Sequence, residues 1–295
     1  LKWRVFKNMN TKVKVSNLQK KYNNNTVLKG ISFDVDDGTI FALLGTNGAG
    51  KTTTLECMEG ILKHSSDQIY INGKIGVQLQ SSSLPEGIKA IEALKLFAMW
   101  NSTIVDIGLI DRLGLTGILK KQYKEMSTGQ KRRLHLALAM TGDPDVIFLD
   151  EPTAGLDVEG RVALHEEIKR LKNHGKTIII SSHDMAEVEA LCDKLAILKD
   201  GEIAFLGTVD ELKSNVKNIY TIRLNLSSQI ILDECLTCCY KGKIQDYYIF
   251  ESNEVGDGLL ELLTVIKNQN IDVYDIKIEH SSLEECFIDI ARGNK

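Results

Sequence analysis

The stretch LLGTNGAGKTTT, residues 43–54, decides the fold prediction. It fits the pattern G-x-x-x-x-G-K-[ST] at Gly45, Gly50, Lys51 and Thr52, directly after an apolar run and at the start of a helical pattern. In such a turn the glycines let backbone N–H groups close around phosphate oxygens, and the helix N-terminus adds a favourable field. We therefore predict a phosphate loop at residues 45–53, in which Lys51 reaches the β- and γ-phosphates and the Thr52 hydroxyl binds Mg²⁺. The predicted binding set is Gly45, Asn47, Gly48, Gly50, Lys51, Thr52 and Thr53. The alternative, a glycine-rich loop that binds nothing, does not account for the strand before it and the helix after it.

A second motif, VIFLDEPTAGLD, places Asp150 and Glu151 at the end of a run that is typical of a buried strand. In a parallel sheet this is the edge where ligands bind. Because adjacent carboxylates repel each other, a cation or a proton has to compensate them. Asp150 is predicted to hold Mg²⁺, directly or through water, and Glu151 to polarise the attacking water as a general base. The alternative is an acidic pair that caps a helix before Pro152.

Two further polar residues follow predicted strands at the same edge. The stretch IIISSHDMAE places His183 just past a buried strand, where a histidine can donate to a γ-phosphate and orient the water. A capping or packing histidine is an equally open interpretation. The stretch IGVQLQ places Gln80 at the end of another strand, and we count it among the catalytic and the metal-binding candidates.

The order of the patterns predicts an α/β fold. Alternating apolar and polar residues in VKVSNLQKKY and ISFDV are typical of antiparallel strands, so the chain opens with a β layer. Short, nearly continuous apolar runs separated by helical patterns then indicate a mostly parallel sheet that is buried on both faces. These runs are TIFALL, DVIFLD, KTIIIS and KLAIL. Helices are predicted at residues 50–59, 89–99, 129–140, 160–173 and 185–191.

Two domains of unequal size are predicted from the 295 residues. The first covers residues 9–215 and contains a helical subdomain at about 81–140, because that segment is poor in strand patterns. From residue 216 onward, three strand patterns and two helical patterns predict a small α+β accessory domain. The strand patterns are NIYTIRLNL, IQDYYIFES and IDVYDIKIE. Met9 resembles a natural start, so residues 1–8 are left out of the fold prediction.

Composition excludes several classes of protein. The chain is 43% hydrophobic and 26% charged with a net charge of -4, which is ordinary for a globular protein and argues against disorder. A pI of about 5.9 argues against nucleic acid as a partner. The apolar runs are far shorter than the roughly 18 residues that span a bilayer. The six cysteines are scattered, and reduced thiols are the expected state.

The stretch MSTGQKRR, residues 126–133, places three cations at the start of a predicted helix. Because a helix N-terminus already carries partial positive charge, each added cation costs roughly 0.3–1 kcal/mol unless an anion is close. An anion is therefore expected at this turn. For each cation taken singly, a packed or solvated position is an equally open alternative.

Taken in order, these motifs resemble the ATP-binding-cassette (ABC) ATPase family over about residues 13–212. The features that carry the resemblance are Tyr22, the phosphate loop, Gln80, MSTGQ, DEPTAGLD and His183. The resemblance implies a P-loop NTPase core that binds ATP with Mg²⁺ and hydrolyses the ATP. It further implies that Tyr22 stacks on adenine and that Asp157 belongs to a loop joining two active sites. The ordinary alternatives are a strand aromatic for Tyr22 and a helix N-cap for Asp157.

The same resemblance implies a dimer. Ser127, Gly129 and Gln130 would belong to the signature turn, residues 127–130, which in this family faces the γ-phosphate held by the phosphate loop of a second cassette. One chain carries one phosphate loop and one signature turn, so a second cassette is required to complete a site. An identical chain is the simplest source of that cassette. The helical insert, around KAIEALKLFAMW and VDIGLIDRLGL, is expected to receive separate transmembrane permease subunits, which places the chain in the cytoplasm at the inner face of the cell membrane. Packing of these helices on the sheet is the alternative.

The C-terminal stretch SSLEECFIDIARG resembles the tail of ABC-2-type exporter cassettes. It implies a subunit that powers a membrane exporter through ATP-driven dimerisation. Thr46 and Thr128 depart from the proline and the glycine usual at these positions, but a backbone donor survives both changes. The alternative function is a soluble ABC ATPase acting on a ribosome or nucleic-acid complex, and a regulatory module without turnover is disfavoured by Glu151 and His183.

Overall fold

A computed structural model describes residues 10–23, 25–64, 68–78, 84–215, 220–231, 237–280 and 283–292. The chain divides into two compact units, Leu1–Gly207 and Thr208–Lys295. The first unit buries two hydrophobic clusters, and the second buries one of its own.

The first unit contains nine described strands. They are β1 (Thr11–Tyr22), β2 (Asn25–Asp36), β3 (Ile40–Gly45), β4 (Ile69–Ile71), β5 (Ile75–Gln78), β6 (Val146–Asp150), β7 (Thr177–Ser181), β8 (Lys194–Lys199) and β9 (Glu202–Thr208). β1 pairs antiparallel with β2 and with β4, which confirms the predicted opening β layer. The remaining strands form one sheet in the order β5-β6-β7-β3-β8-β9, and the pairs from β5 to β8 are parallel.

The central strands are buried because both faces of their sheet are covered. Every residue of β3, β6 and β7 is buried. Along β6 the side chains alternate between the two clusters: Ile147 and Leu149 belong to one, and Val146 and Phe148 to the other. The continuous apolar runs of the sequence therefore reflect burial on both sides, as predicted.

Six described helices complete the first unit. They are α1 (Lys51–Met58), α2 (Ala90–Trp100), α3 (Ile107–Arg112), α4 (Thr128–Met140), α5 (Val158–Asn173) and α6 (Met185–Leu191). Side-chain caps fix four of the starts, because the N-cap residue accepts a hydrogen bond from a backbone N–H in the first turn; these residues are Asp106, Ser127, Asp157 and Asp184. α2 and α3, with short 3₁₀ turns at Thr116–Ile118 and Tyr123–Glu125, form the helical insert before α4.

The second unit is a sheet partly covered by a helix. It contains α7 (Val209–Asn215), β10 (Tyr220–Leu226), β11 (Cys239–Ile244), β12 (Tyr247–Ser252), α8 (Val255–Asn268), β13 (Val273–His280) and α9 (Leu283–Arg292), with the strand order β11-β12-β10-β13. Ile222 and Leu224 of β10 pack in one cluster with Leu262 and Ile266 of α8. None of the described helices of either unit is long and apolar enough to cross a bilayer.

One strand prediction in this unit holds only in part. The pattern IQDYYIFES forms strand β12 from Tyr247, but Ile244 ends the preceding strand β11 and the chain turns at Gln245, which has a φ of 54°. The β11 sequence CYKGKI carries a glycine and two lysines and is almost entirely exposed, so it lacks the apolar alternation that identifies a strand.

Candidate functional site

The phosphate loop connects the end of β3 to the start of α1 and depends on close backbone approaches. A Cβ atom at Gly45 would lie 2.6 Å from the carbonyl oxygen of Leu198. Gly50 caps α1 with a φ of 106°, and a Cβ there would lie 2.7 Å from Cδ2 of Leu28. Side chains at these two positions would therefore force the loop away from its neighbours. The first turn of α1 contains no acidic residue, so no carboxylate there offsets the partial positive charge of the helix start, and this charge can attract an anionic ligand.

Lys51 lies inside this loop. Its Nζ donates to the carbonyl oxygen of Gly45 at 2.7 Å and to that of Thr46 at 3.3 Å, and the residue is only 9% exposed. Burial lowers the pKa of Lys51, while the nearby Glu151 and Asp150 carboxylates act in the opposite direction. Of the other predicted loop residues, Asn47, Gly48 and Thr52 are exposed and Thr53 is half-buried.

Three adjacent strands bring the carboxylates to the phosphate loop. Ser181 of β7 is paired with Leu43 of β3 on one side and with Asp150 of β6 on the other. The Ser181 hydroxyl donates to Oδ1 of Asp150, which is 5% exposed. Burial raises the pKa of Asp150 and the Glu151 charge adds to the rise, whereas the Ser181 hydrogen bond opposes it. The structure thus places Asp150 at the predicted edge of the sheet.

Glu151 has the left-handed backbone conformation, with a φ of 47°. This conformation costs a non-glycine residue about 1–2 kcal/mol, and such strain is concentrated at functional sites. Its backbone N–H donates to the carbonyl oxygen and the hydroxyl of Ser181 at 3.1 and 3.2 Å. Its side chain is 22% exposed, and Oε1 lies 3.2 Å from Nδ1 of His183, which is 70% exposed. The carboxylate and the imidazole therefore meet in a solvent-accessible position beside the phosphate loop.

The signature turn lies at the start of α4 and forms a capping box. Ser127 Oγ accepts from the backbone N–H of Gln130 at 3.3 Å, and Gln130 Oε1 accepts from the backbone N–H of Ser127 at 3.2 Å. Lys121 Nζ donates to the same Gln130 oxygen at 3.1 Å. Thr128 packs on Gly155, where an added Cβ would lie 3.1 Å from Thr128 Cγ2. The threonine that replaces the usual glycine is thus accommodated by a glycine opposite it.

The three cations after the signature turn contact their own chain. Lys131 Nζ lies 4.8 Å from the centre of the Tyr123 ring. Arg132 Nε donates to the carbonyl oxygen of Ala154 at 3.4 Å, and Arg133 Nη1 to that of Leu113 at 3.2 Å. The packed alternative therefore describes each of them, and they attach α4 to three neighbouring segments. These contacts account for the three positive charges without the anion that the sequence predicts at this turn.

The remaining predicted site residues lie on other elements or outside the described part of the chain. Tyr22 ends β1, is 42% exposed and has Lys20 Nζ 5.3 Å from its ring centre. Asp157 accepts from the backbone N–H of Gly160 at 2.8 Å, so the ordinary helix-cap interpretation describes its position. Gln80 lies outside the described residues, and its role stays a prediction.

Two residues near the site were missed by sequence reasoning. Ser181 ends β7 as Asp150 ends β6, and this shared position is the signal that could have identified it. Glu59 follows α1, is 9% exposed, and neither of its carboxyl oxygens has a hydrogen-bond partner among the residues that the structure describes. Burial, with Asp150 and Glu56 adding to it, raises the pKa of Glu59 to about 7. Nothing in the local sequence distinguishes Glu59 from an exposed helix-end glutamate.

The comparisons with known proteins identify the family of this chain. The family described as ABC transporter matches residues 28–154. An uncharacterized ABC transporter ATP-binding protein of Methanocaldococcus jannaschii is 36% identical over 251 residues, which cover 82% of this chain and 95% of that protein. This chain belongs to the ABC transporter family of ATP-binding proteins. It is an ABC cassette that binds and hydrolyses ATP, as the resemblance of the motifs implied.

Two further matches are also ATP-binding proteins. The linearmycin resistance ATP-binding protein LnrL of Bacillus subtilis is 34% identical over 306 residues, covering 94% of this chain and 97% of LnrL. A solved structure of the ATP binding subunit of an ABC transporter is 28% identical with a TM-score of 0.64, covering 70% of this chain and 93% of that one. The relatives are transporter subunits, so the ABC cassette is a transporter ATPase, and the ribosomal or nucleic-acid alternative is not supported.

Proposed function

We propose that this ABC cassette powers a membrane exporter by pairing head to tail with a second copy of itself around ATP. The observation that carries the proposal is that the phosphate-binding residues and the signature turn lie on different elements. The phosphate loop, Asp150, Glu151 and His183 meet at the ends of β3, β6 and β7, whereas the signature turn begins α4. In the described part of the chain, the side chains of Ser127 and Gln130 bond only within the turn and to Lys121.

The signature turn is suited to an anion from outside its own chain. The first turn of α4 contains no acidic residue, so no carboxylate there offsets the partial positive charge of the helix start. The γ-phosphate in the phosphate loop of a second copy is the anion that we assign to this turn. Two identical chains then form two complete sites related by a two-fold axis.

Within each site we assign the predicted roles as follows. Lys51 and the loop amides bind the β- and γ-phosphates, and Tyr22 stacks on the adenine. Glu151 accepts a proton from the attacking water, and His183, 3.2 Å from that carboxylate, orients the water and donates to the γ-phosphate. Asp157 lies on the loop toward the second site. Ser181 holds the Asp150 carboxylate in place through its hydroxyl.

The residues present fit Mg²⁺. Asp150 offers a carboxylate and Thr52 an exposed hydroxyl in the first turn of α1, and oxygen atoms are the ligands that Mg²⁺ prefers. The described residues contain no cluster of three metal-binding side chains, which agrees with an ion that also uses phosphate oxygens and water. We assign Asp150, Thr52 and Gln80 to this site. When bound, the ion neutralises charge on the β- and γ-phosphates.

The export assignment rests on the relatives and on the tail. LnrL is named for resistance to linearmycin, and a transporter subunit that confers resistance fits export. We propose that residues 9–215, with a helical subdomain at about 81–140, bind nucleotide and that residues 216–295 are an accessory domain. Separate transmembrane permease subunits would hold the cassette at the inner membrane face. Hydrolysis would replace a shared γ-phosphate by separated products and so shift the cassettes apart.

The experiment that tests this function compares Glu151→Gln with the parent. We expect the variant to bind ATP and to form a stable ATP-dependent dimer in analytical ultracentrifugation, while turnover falls by at least 100-fold because the general base is lost. Glu166→Gln, an exposed glutamate of α5, is the matched control. A monomeric Glu151→Gln protein at saturating ATP would contradict the head-to-tail pair, and normal turnover would remove Glu151 from its role.

A further inference from the structure

Tyr123 lies four residues before Ser127 and contacts the helix that the signature turn begins. It is 7% exposed in the 3₁₀ turn Tyr123–Glu125. Its hydroxyl lies 2.8 Å from Nε2 of His135, and the two rings meet edge to face with centres 5.6 Å apart. His135 is on α4, about two helical turns after Ser127. One side-chain pair therefore joins the segment before the signature turn to the body of its helix.

The protonation states of the pair favour this hydrogen bond. Burial, with the charges of Arg132 and Lys131 adding to it, lowers the pKa of His135 to about 4. The imidazole is therefore neutral at physiological pH, and with its proton on Nδ1 it accepts at Nε2. Burial raises the pKa of Tyr123, against a smaller opposing effect from a hydrogen bond with the Leu84 backbone. In the tautomer that carries its proton on Nδ1, His135 accepts at Nε2 from the Tyr123 hydroxyl.

The backbone around Tyr123 is tied to the segment at residues 84–91. Tyr123 N–H donates to the carbonyl oxygen of Ile88 at 2.8 Å, and Lys124 N–H to that of Glu86 at 3.0 Å. In the reverse direction, Ala90 N–H donates to the carbonyl oxygen of Lys121 at 3.2 Å. Residues 84–91 lead from the stretch that contains Gln80 into α2. A displacement of this segment is therefore transmitted directly to Tyr123.

We propose that Tyr123 and His135 are positioning residues that fix the signature turn relative to residues 84–91, so that the turn meets the phosphates of the second cassette in one orientation. The proposal rests on the proposed function, because it assigns the pair to the presentation of that turn. Lys131, which lies over the Tyr123 ring, supports the same junction from the first turn of α4. Phosphate recognition by helix amides requires placement within a fraction of an ångström, which the capping box of Ser127 and Gln130 alone does not set relative to the rest of the chain.

The test uses full-length protein in the Glu151→Gln background, in which ATP-dependent pairing is measured directly. Tyr123→Phe removes one hydroxyl and keeps the ring. We expect its ATP-dependent dimer to be weakened roughly tenfold through the lost hydrogen bond, with the ATP affinity of the monomer unchanged. Tyr248→Phe is the matched control, because Tyr248 is also 7% exposed and has Lys243 Nζ 4.7 Å from its ring centre, in the second unit.

A second pair of variants separates positioning from general stability. His135→Gln retains a side-chain acceptor and is expected to pair nearly as well as the parent, whereas His135→Leu is expected to pair as weakly as Tyr123→Phe or more weakly. Thermal unfolding of Tyr123→Phe should match that of Tyr248→Phe within a few degrees. Equal dimer affinity for Tyr123→Phe and its background would overturn the positioning role. Failure of Glu151→Gln itself to pair would instead contradict the proposed function, so the two failures are distinguishable.

Discussion

Nδ1 of His183 lies 3.2 Å from Oε1 of Glu151, although the two residues are 32 positions apart in the chain. They meet because β6 and β7 are neighbours, with Asp150 paired to Ser181, and each residue lies just past the end of its strand. Glu151 has the left-handed backbone conformation at the point where its carboxylate meets the imidazole. A water molecule held between these side chains and the phosphate loop would have an acceptor and a donor on the same side.

His183→Ala should reduce turnover without a comparable loss of ATP binding. The contact described for the imidazole is with the Glu151 carboxylate, so we expect turnover to fall by about 10- to 1,000-fold, with ATP affinity changed less than about threefold. Steady-state hydrolysis and ATP titration measure the two quantities. His174→Ala, at an exposed histidine after α5, is the control. Equal loss of binding and turnover would show that His183 acts in binding.

Lys51→Ala should weaken ATP binding by at least tenfold, because the buried ammonium is the one cationic side chain predicted to reach the β- and γ-phosphates. Isothermal titration with ATP measures the effect, and Lys267→Ala, an exposed lysine of α8, is the control. Unchanged affinity would contradict the assignment of the phosphate loop.

A mixture of two inactive variants should regain activity. In a pair formed from Lys51→Ala and Ser127→Arg chains, one site has both an intact phosphate loop and an intact signature turn. If chains mix at random and sites act independently, turnover should recover to about a quarter of the parental value. Each variant alone is the control. Recovery is measured as turnover against mixing ratio, and strong turnover by Ser127→Arg alone would contradict a shared site.

Glu59→Gln should remove a pH-dependent loss of stability. Because the folded-state pKa is raised to about 7, the folded protein binds this proton more tightly than the unfolded chain, whose carboxyl has its ordinary pKa near 4.5. The parent should therefore lose stability as pH rises from about 4.5 through about 7, by at most about 3 kcal/mol, and the glutamine variant should not. Urea unfolding at pH 5 and pH 8 measures the difference, with Glu166→Gln as control. Parallel losses in both proteins would show that Glu59 is not the titrating group.

Much of the fold followed from the sequence because its signals are local. Residues 40–58 contain the signals for strand β3, the glycine turn and α1. The short, continuous apolar runs of β6 and β7 are typical of strands that are buried on both faces. The edge residues Asp150 and His183 could be placed because parallel strands bring their carboxyl ends together.

What the sequence did not reveal depends on tertiary neighbours. The sequence indicates an anion near the three cations after the signature turn. In the structure an aromatic ring and two carbonyl oxygens from other segments contact these side chains, which are Lys131, Arg132 and Arg133. The burial of Glu59 and the contact between Tyr123 and His135 are likewise set by packing between elements. The second-unit strand β11 escaped prediction because an exposed edge strand needs no apolar alternation.

The ammonium of Lys51 is bonded to the carbonyl oxygens of Gly45 and Thr46. If Lys51 binds phosphate as proposed, nucleotide binding would replace at least one of these internal hydrogen bonds by a bond to a phosphate oxygen. This exchange would make the net free energy of binding small. It would also make binding depend on the shape of the ligand, because only a ligand that reaches both the lysine and the loop amides compensates for the internal hydrogen bonds that are lost. Selection against nucleotides that lack the β- or γ-phosphate would then begin at this lysine, before a second cassette binds.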